Sequence, residues 1–243
     1  MKTPGVYIVE KNAFPNSVVE APTAIPAFIG ITEKAQNGAD SLSGKPWKIT
    51  SMTEFQQFFG EAPKPEFTLS VADKPELGGQ KKPFYYIEAP VSNGKKSLLV
   101  EKPSVLFSLY YHMVMFFANG GGTCYIVSVG TYAEGKVVDI KMVETALAAL
   151  KKEQEITMVV IPEAASTPDC KNIQTQVLAH CGEMMNRFAI LDVQPKVTDN
   201  EVMSKQIEKF RTNVGANYLS YGAAYYPWLN TSVLSDKDID GTY

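Results

Sequence analysis

The second half of the sequence alternates apolar, strand-like runs with segments that start and stop like helices. The three apolar runs are TCYIVSVG (123–130), EITMVVIP (155–162) and RFAILDV (187–193). None of them alternates apolar with polar residues, so each is suited to a strand that is buried on both faces. Because such strands are typical of parallel sheets, we predict an α/β fold, with a mostly parallel sheet flanked by helices. Residues 25–31 supply a further strand, which is expected at the edge of this sheet.

Five segments carry helix start and stop signals. The predicted helices lie within 49–60, where Thr50, Ser51 or Thr53 is the cap and Gly60 the stop, and at 104–119, 139–150, 166–186 and 198–214. Asp139 is the predicted cap of the third helix, and Thr198 and Glu201 have the spacing of a capping box for the fifth. The helix that starts at Ser104 is apolar nearly all round, which predicts burial on several sides.

The chain begins with a strand-like segment that prolines separate from the rest. Residues 5–9 have strong strand propensity, and Pro15, Pro22 and Pro26 interrupt any regular pairing with the next stretch. Such an apolar terminus frays unless another element holds it. Two assignments remain open from the residues alone: an edge strand of its own domain, or an arm that adds a strand to another molecule.

The composition changes between residues 61 and 103, where prolines, lysines and glycines are frequent. Within this stretch FYYIEA and KSLLV flank Asn93-Gly94, a pattern that predicts a β-hairpin, so we interpret the stretch as a β-rich insertion. The predicted units are an extended N-terminal arm and connector (1–23), the first part of the core (24–60), the insertion (61–103), the main α/β core (104–229) and a polar tail (230–243).

Composition and charge argue against several functional classes. The 243 residues carry a formal net charge of −3, which gives no electrostatic footprint for nucleic acid. No apolar run reaches about 18 residues, so no direct membrane insertion is predicted, and the N-terminus lacks the pattern of a secretion signal. The three cysteines, Cys124, Cys170 and Cys181, are an odd number and fit a protein made in a reducing cytoplasm.

Two acidic residues near the ends of predicted strands are the first candidates for catalysis. Glu163 follows the run 155–162, and Asp192 lies near the end of the run 187–193. Because α/β sheets bind ligands beyond the carboxyl ends of their strands, these two side chains could act as a carboxylate pair. Neither has a histidine nearby in the sequence. We therefore favour a structural role for both, in which each caps a loop or a helix.

The glycine run Asn119-Gly120-Gly121-Gly122 invites comparison with a phosphate-binding loop. Such a loop follows a strand and opens a helix, because the anion lies at the helix N-terminus. Here the glycines follow a predicted helix and precede a predicted strand. The run therefore predicts a helix C-cap and a tight turn, and no cofactor is predicted.

The residue types that bind metals also fail to form a recognisable site. His180 and Cys181 are adjacent, while Cys170 and Cys124 lie upstream without the paired spacing of a zinc site. His112 lies among aromatic and methionine residues, so we expect it to be a hydrogen-bonded core residue. No catalytic, metal-binding or cofactor-binding residue is predicted.

Seven segments carry a resemblance to a known family through their order and spacing. They are PGVYIVE, IPAFIGITEKA, ITSMTEFQQFFG, FFANGGGTCYIVSVG, ITMVVIPE, CGEMMNRFAILDV and YGAAYYPWL. Together they resemble the contractile phage tail sheath family, which includes the sheaths of bacterial contractile injection systems. The resemblance covers residues 4–229, and no single segment is diagnostic.

The resemblance implies a structural protein and not an enzyme. Sheaths of this family stack as six-membered rings into a helical sleeve around an inner tube. The implied partners are copies of the same chain, the inner tube protein, and baseplate and cap proteins. The implied location is the cytoplasm during assembly and then a phage tail or injection particle. Because the arm of a sheath adds a strand to a neighbouring subunit, the resemblance implies an intersubunit role for Val6, Tyr7, Ile8 and Val9.

The chain departs from the family after the YYPWL segment. Family members continue into a C-terminal region with a small sheet for subunit linkage, whereas this sequence reaches Tyr243 in a polar tail. We therefore expect a fragment, or a split sheath whose remaining part another chain supplies. Two other functional classes stay open: an α/β enzyme that uses Glu163 and Asp192, and a non-contractile binding module whose arm docks one partner.

Overall fold

The computed structural model describes residues 23–64, 68–72, 85–91, 94–101, 107–194 and 203–229, with Thr231 and Val233. The strands are β1 (Pro26–Thr32), β2 (Gln36–Asn37), β3 (Asp40–Ser41), β4 (Trp47–Ile49), β5 (Thr68–Ala72), β6 (Tyr85–Val91), β7 (Gly94–Glu101), β8 (Cys124–Thr131), β9 (Met158–Val160), β10 (Phe188–Asp192) and β11 (Gly222–Tyr225). The α-helices are α1 (Met52–Phe59), α2 (Leu109–Ala118), α3 (Ile140–Leu150), α4 (Cys170–Met184) and α5 (Met203–Val214). Outside the described residues lie the predicted intersubunit residues Val6, Tyr7, Ile8 and Val9 and the predicted capping box of Thr198 and Glu201.

Six strands form one sheet in the order β11-β10-β9-β1-β8-β4. All neighbouring pairs are parallel except β4, which pairs antiparallel with β8 at one edge. Counted along the chain, the parallel strands have the spatial order 2-1-3-4-5, which is that of a flavodoxin-like sheet. The prediction of an α/β fold with a mostly parallel sheet is confirmed.

The position predicted for the first strand is wrong, because β1 lies in the centre of the sheet and not at its edge. Ala27 pairs with Tyr125 of β8 on one side and with Val159 of β9 on the other. All seven residues of β1 are buried. A strand that is apolar along its whole length gains most where neighbouring strands flank it and helices cover both of its faces.

Side chains of β1 point alternately into two hydrophobic cores, one on each face of the sheet. Ile29 packs in the core that α3, α4 and α5 cover, together with Leu147 and Ile173. Phe28 packs in the opposite core, which α1 and α2 cover with Phe55 and other apolar side chains. Helices therefore cover both faces around β1 and β8, which explains the continuous apolar runs of these two strands. Alternate residues of β9 and β10 are only half-buried, so the expected burial of these two strands on both faces is wrong.

Side-chain caps fix the starts of α1 and α3. The Ser51 hydroxyl and the Asp139 carboxylate each accept a hydrogen bond from a backbone N–H three residues later, at 3.2 and 2.9 Å. Both residues are among the predicted caps, and those predictions are confirmed. By contrast α4 begins at Cys170 and not at the predicted Ser166, because a short 3₁₀ turn at Ala164–Ser166 precedes it.

Helix α2 differs from its prediction at its start and in its burial. It begins at Leu109 instead of Ser104, and Ser108 precedes it without a side-chain cap. Within α2 only Leu109 and Met113 are buried, and most of the other side chains are half-buried. The expectation of burial on several sides is therefore wrong, because one sheet face and one short helix cover only part of so many large aromatic side chains.

The described residues between α1 and α2 form a separate three-stranded antiparallel sheet in the order β5-β7-β6. Val91 pairs with Gly94, so β6 and β7 form the predicted hairpin. β5 pairs along the other side of β7, with Leu69 opposite Val100, and this strand was missed in the sequence. The insertion is β-rich as predicted, while the division of the chain into domains stays a prediction.

Candidate functional site

Glu163 joins three backbone segments at the carboxyl end of the sheet. It follows β9, and its side chain is 4% exposed. Its Oε1 accepts hydrogen bonds from the backbone N–H groups of Ser108, at 2.9 Å, and Leu109, at 3.3 Å. Its Oε2 accepts from the N–H of Ile31 at 3.1 Å. The carboxylate thus caps the N-terminus of α2, where a negative charge is favourable, and attaches this helix to the end of β1.

This contact fills the crevice where sheets of this order bind ligands. In the order 2-1-3-4-5 that crevice lies between the first and third parallel strands, which here are β1 and β9. Gly30 lies at its floor, and a Cβ atom there would come within 3.0 Å of Leu109 Cδ2 and 3.2 Å of Glu163 Oε2. The chain itself therefore occupies the space that a small ligand would use.

The hydrogen bonds of Glu163 favour its ionised form, whereas its burial disfavours that form. Burial raises the pKa of Glu163 to about 6, while the N–H groups of Ser108, Ile31 and Leu109 act in the opposite direction. The side chain is therefore mostly ionised at neutral pH. Tyr132 lies in the same region, where burial raises the pKa of its phenol and the charge of Glu163 adds to the increase.

Asp192 lies in a different environment from Glu163. It is half-buried at the end of β10, and burial raises the pKa of its carboxyl group. Its backbone carbonyl accepts a hydrogen bond from Gln174 Nε2 at 2.7 Å. Among the described residues no hydrogen bond links the Asp192 and Glu163 carboxyl groups. The structure thus gives Glu163 the capping role that we favoured and does not assemble the two acids into a pair.

Arg187 and His180 form a buried polar group at the end of α3. Arg187 is 3% exposed, and it donates from Nη1 to the Leu150 carbonyl at 3.0 Å and from Nη2 to the Glu153 carbonyl at 2.8 Å. Its Nη1 also donates to His180 Nε2 at 3.2 Å. Burial and the Arg187 charge lower the pKa of His180 to about 4, so its imidazole is neutral. The cation lies at the carboxyl end of a helix, where positive charge is favourable.

The cysteines offer no reactive thiol. All three are buried and free. Burial raises the pKa of Cys124 and Cys181 to about 12 and that of Cys170 to about 11, so the thiols are protonated at neutral pH and are poor nucleophiles. Within the described parts of the chain, no group of three or more His, Cys, Asp or Glu side chains could hold a metal ion.

The glycine run after α2 forms the predicted helix C-cap. The Gly121 N–H donates to the Phe116 carbonyl at 2.8 Å, and Gly120 has a left-handed backbone with φ of +85°. Both features are typical of a helix end and leave the phosphate-loop comparison without support. His112 is hydrogen-bonded as expected, through Nδ1 to the Ser108 carbonyl at 2.8 Å, although it is half-buried and not a full member of the core.

Several large apolar side chains are exposed around β11, the last strand of the described chain. We define the C-terminal apolar surface as Tyr218, Leu219, Tyr225, Trp228 and Leu229, all of which are exposed. Leu229 is 82% exposed, and Trp228 Nε1 donates to the Val193 carbonyl at 2.7 Å, which fixes this segment beside β10. β11 pairs with β10 on one side and with no other described strand. Exposed apolar side chains beside an unpaired strand edge are typical of an interaction surface.

The fold and the site together define a three-layer α/β protein with a filled ligand crevice. The described helices include none that is long and apolar enough to cross a membrane. No protein-family model matches the chain, and no curated protein is similar to it.

Among solved structures, the chain is similar to the helical sheath of the anti-feeding prophage in its contracted state, determined by cryo-electron microscopy. The TM-score is 0.48 and the sequence identity 19%, over 93% of this chain and 46% of the sheath chain. This chain thus spans about half the length of that sheath chain.

Sequence reasoning missed Arg187 and the long-range contacts of Glu163. The only sequence signal for Arg187 is a basic residue at the start of an apolar strand, RFAILDV. For Glu163 the position after a strand was informative, but its partners Ile31 and Ser108 are distant in the sequence. Only the packing of α2 against β1 brings those N–H groups to one carboxylate.

Proposed function

We propose that this chain is a structural subunit of a contractile sheath, which polymerises as stacked rings around an inner tube and contracts to drive the tube through a target envelope. The observation that carries the proposal is the C-terminal apolar surface beside the edge of β11 that pairs with no other described strand. An enzyme of this fold class uses an open crevice between its first and third parallel strands. Here Glu163 and α2 fill that crevice.

Five of the seven segments that carry the family resemblance each supply a parallel strand of the sheet. IPAFIGITEKA contains β1, FFANGGGTCYIVSVG contains β8 up to Gly130, and ITMVVIPE contains β9 and Glu163. YGAAYYPWL contains β11 and three of the five residues of the C-terminal apolar surface. A sheet built from these segments, with exposed apolar side chains around β11 at its edge, supports a subunit that associates with copies of itself.

Contraction in this proposal is a rigid-body rotation of subunits into a tighter packing, with the arms as hinges. Each newly buried Å² of apolar surface contributes about 25 cal/mol, and repetition over many subunits makes the total large. Nucleotide hydrolysis is not needed, since the energy comes from interfaces that form during contraction. The inner tube, baseplate and cap proteins are the further partners of this proposal.

The first test concerns the arm. The complete reading frame, co-expressed with its tube and baseplate genes, is expected to yield sedimentable tubes by negative-stain electron microscopy. The double variant V6D/I8D places two charges where strand addition would bury apolar side chains, so we expect no tubes. The matched control N12D/N16D adds the same charge elsewhere in the arm and should assemble. Normal tubes from V6D/I8D would contradict the proposed role of Val6, Tyr7, Ile8 and Val9.

The second test concerns the C-terminal apolar surface. We expect L219D/L229D to lower the yield of tubes at least about tenfold, since a buried, unpaired aspartate costs more than ~1 kcal/mol at an interface. The circular dichroism spectrum and melting temperature should stay those of the wild type, because both leucines are exposed. Val137→Asp is the control, since Val137 is also an exposed apolar residue but lies outside this surface. Equal tube yields from all three proteins would exclude the surface from assembly.

A further inference from the structure

A small cavity with both apolar and polar lining residues lies beyond the carboxyl end of β10, between α4 and α5. Val193 and Gln194 border it on the strand side, and Gln206, Lys209 and Asn213 border it from α5. The volume of the cavity is about 20 Å³, which is room for one small polar group. The cavity lies on the side of the sheet where α/β proteins bind ligands, but away from the crevice that Glu163 fills.

Gln206, which lines this cavity, has an unused hydrogen-bond donor. The side chain is 4% exposed. Its Oε1 accepts a hydrogen bond from the Tyr226 hydroxyl at 2.7 Å, which orients the amide and leaves Nε2 as its free polar end. Nε2 is buried and has no hydrogen-bond partner. Because an unsatisfied buried donor costs about 1–3 kcal/mol, a group that accepts from it would bind favourably.

The charge at the cavity is positive. Lys209, an exposed residue, is the one charged residue among those that line it. It takes part in none of the ion pairs between described residues. Its ammonium is close enough to Cys170 to lower the pKa of that buried thiol. Asp192 also acts on Cys170, but it lines the neighbouring cavity between α4 and β10 and not this one.

We propose that this cavity is a binding site for a carboxylate group. Gln206 Nε2 and the Lys209 ammonium are donors of complementary type, and hydrogen bonds to an ionised acceptor are about twice as strong as neutral ones. The size of the cavity limits the ligand to one carboxylate on a narrow stem. Such a group belongs either to a small organic acid or to an aspartate or glutamate side chain of another protein segment. This site is independent of the proposed sheath function.

Two-dimensional ¹H–¹⁵N NMR of the folded full chain tests the site directly. The side-chain NH₂ signals of Gln206, assigned by their loss in Gln206→Glu, report on the donor itself. Sodium acetate, titrated against sodium chloride at equal ionic strength, should shift these signals saturably with a dissociation constant on the order of 10 mM. The absence of any shift beyond that caused by chloride would overturn the proposal.

Two matched variants separate a built site from general attraction of anions. Lys209→Met should weaken acetate binding by about fivefold, the upper range for a solvent-exposed charge. Arg211→Met removes a positive charge from α5 outside the cavity lining and should leave the affinity unchanged. Equal weakening in both variants would mean that acetate responds only to net charge, and the proposal would fail.

The source of the carboxylate is decided by comparing acetate with a blocked peptide, acetyl-Gly-Asp-Gly-amide. Binding of the peptide at least about tenfold tighter than acetate, which is about 1.4 kcal/mol, supports a protein side chain as the ligand. Binding of acetate with equal or higher affinity supports a small organic acid. If neither probe shifts the Gln206 signals, the cavity is not a carboxylate site.

Discussion

Replacing Arg187 with methionine is expected to lower the free energy of unfolding by about 3 kcal/mol, because it removes the only guanidinium from a buried polar group. The Glu153 carbonyl and His180 Nε2 would each lose their hydrogen-bond donor. The substitution also removes a positive charge from the carboxyl end of α3, where it stabilises the helix. Urea unfolding followed by circular dichroism measures this change.

Two further substitutions make the Arg187 experiment specific. Arg187→Lys keeps the charge but replaces a planar group having several donors with one ammonium, so we expect an intermediate loss of about 1–2 kcal/mol. Arg211→Met removes an exposed arginine from α5 and should change stability by less than about 0.5 kcal/mol. If Arg187→Met and Arg211→Met were equally stable, the buried group would not contribute to folding.

The same variant has a second, spectroscopic consequence at His180. The positive charge of Arg187 is one of the causes that lower the pKa of this histidine, after burial. In Arg187→Met the pKa of His180 should therefore rise toward its ordinary value while staying below it. An NMR titration of the imidazole in both proteins measures the direction of this shift.

Local sequence signals predicted the elements of this fold well, because local physics determines them. Ser51 and Asp139 are polar residues just before apolar helical stripes, and each caps the helix that follows. The run at β8 is continuous and apolar because helices cover both faces of the sheet there, whereas alternate residues of β10 are only half-buried. Hydrogen bonds and apolar spacing within a few residues suffice for such predictions.

The errors arose where distant residues decide the structure. β1 is central because β8 and β9 both pair with it, and pairing partners more than ninety residues away leave no local mark. The start of α2 depends on Glu163, whose carboxylate accepts from the N–H groups of Ser108 and Leu109. Ser104 was the predicted start of this helix, since the sequence gives no sign of which serine lies near Glu163.

The sequence identified Glu163 as the candidate residue, but it did not show that this side chain closes the ligand crevice. Glu163 was identified from its place after a strand, and the favoured structural role was that of a cap. That this cap closes the ligand crevice follows from Gly30 and Leu109, which approach it from β1 and α2. The unused donor of Gln206 was not predictable, because it depends on the hydroxyl of Tyr226 after β11.

Glu163 should make the protein more stable as the pH falls from about 7 to about 4.5. Its pKa is about 6 in the folded protein, above its ordinary value of 4.5. The folded state therefore binds a proton more tightly than the unfolded state, and acidification through this range favours folding. The contribution of this group reaches about 2 kcal/mol once the pH is below the unfolded pKa, and it is lost as the pH rises through 6.

Glu163→Gln tests this linkage and the capping role together. At pH 7 the variant should be less stable than the wild type by about 1–2 kcal/mol. The reason is that the NH₂ group of glutamine cannot accept the backbone hydrogen bond that one carboxylate oxygen of Glu163 accepts. The stability advantage of the wild type should grow by about 2 kcal/mol between pH 7 and pH 4.5, because glutamine does not titrate in this range.

The comparison isolates Glu163 from the other titrating groups. Asp192 and His180 are present in both proteins, so their contributions cancel in the difference. Glu144→Gln, on the exposed surface of α3, is the control for replacing a glutamate by glutamine as such. A constant difference between wild type and Glu163→Gln across this range would mean that Glu163 titrates alike in the folded and unfolded chains. In that case the burial of Glu163 between β1 and α2 would not disfavour its ionised form.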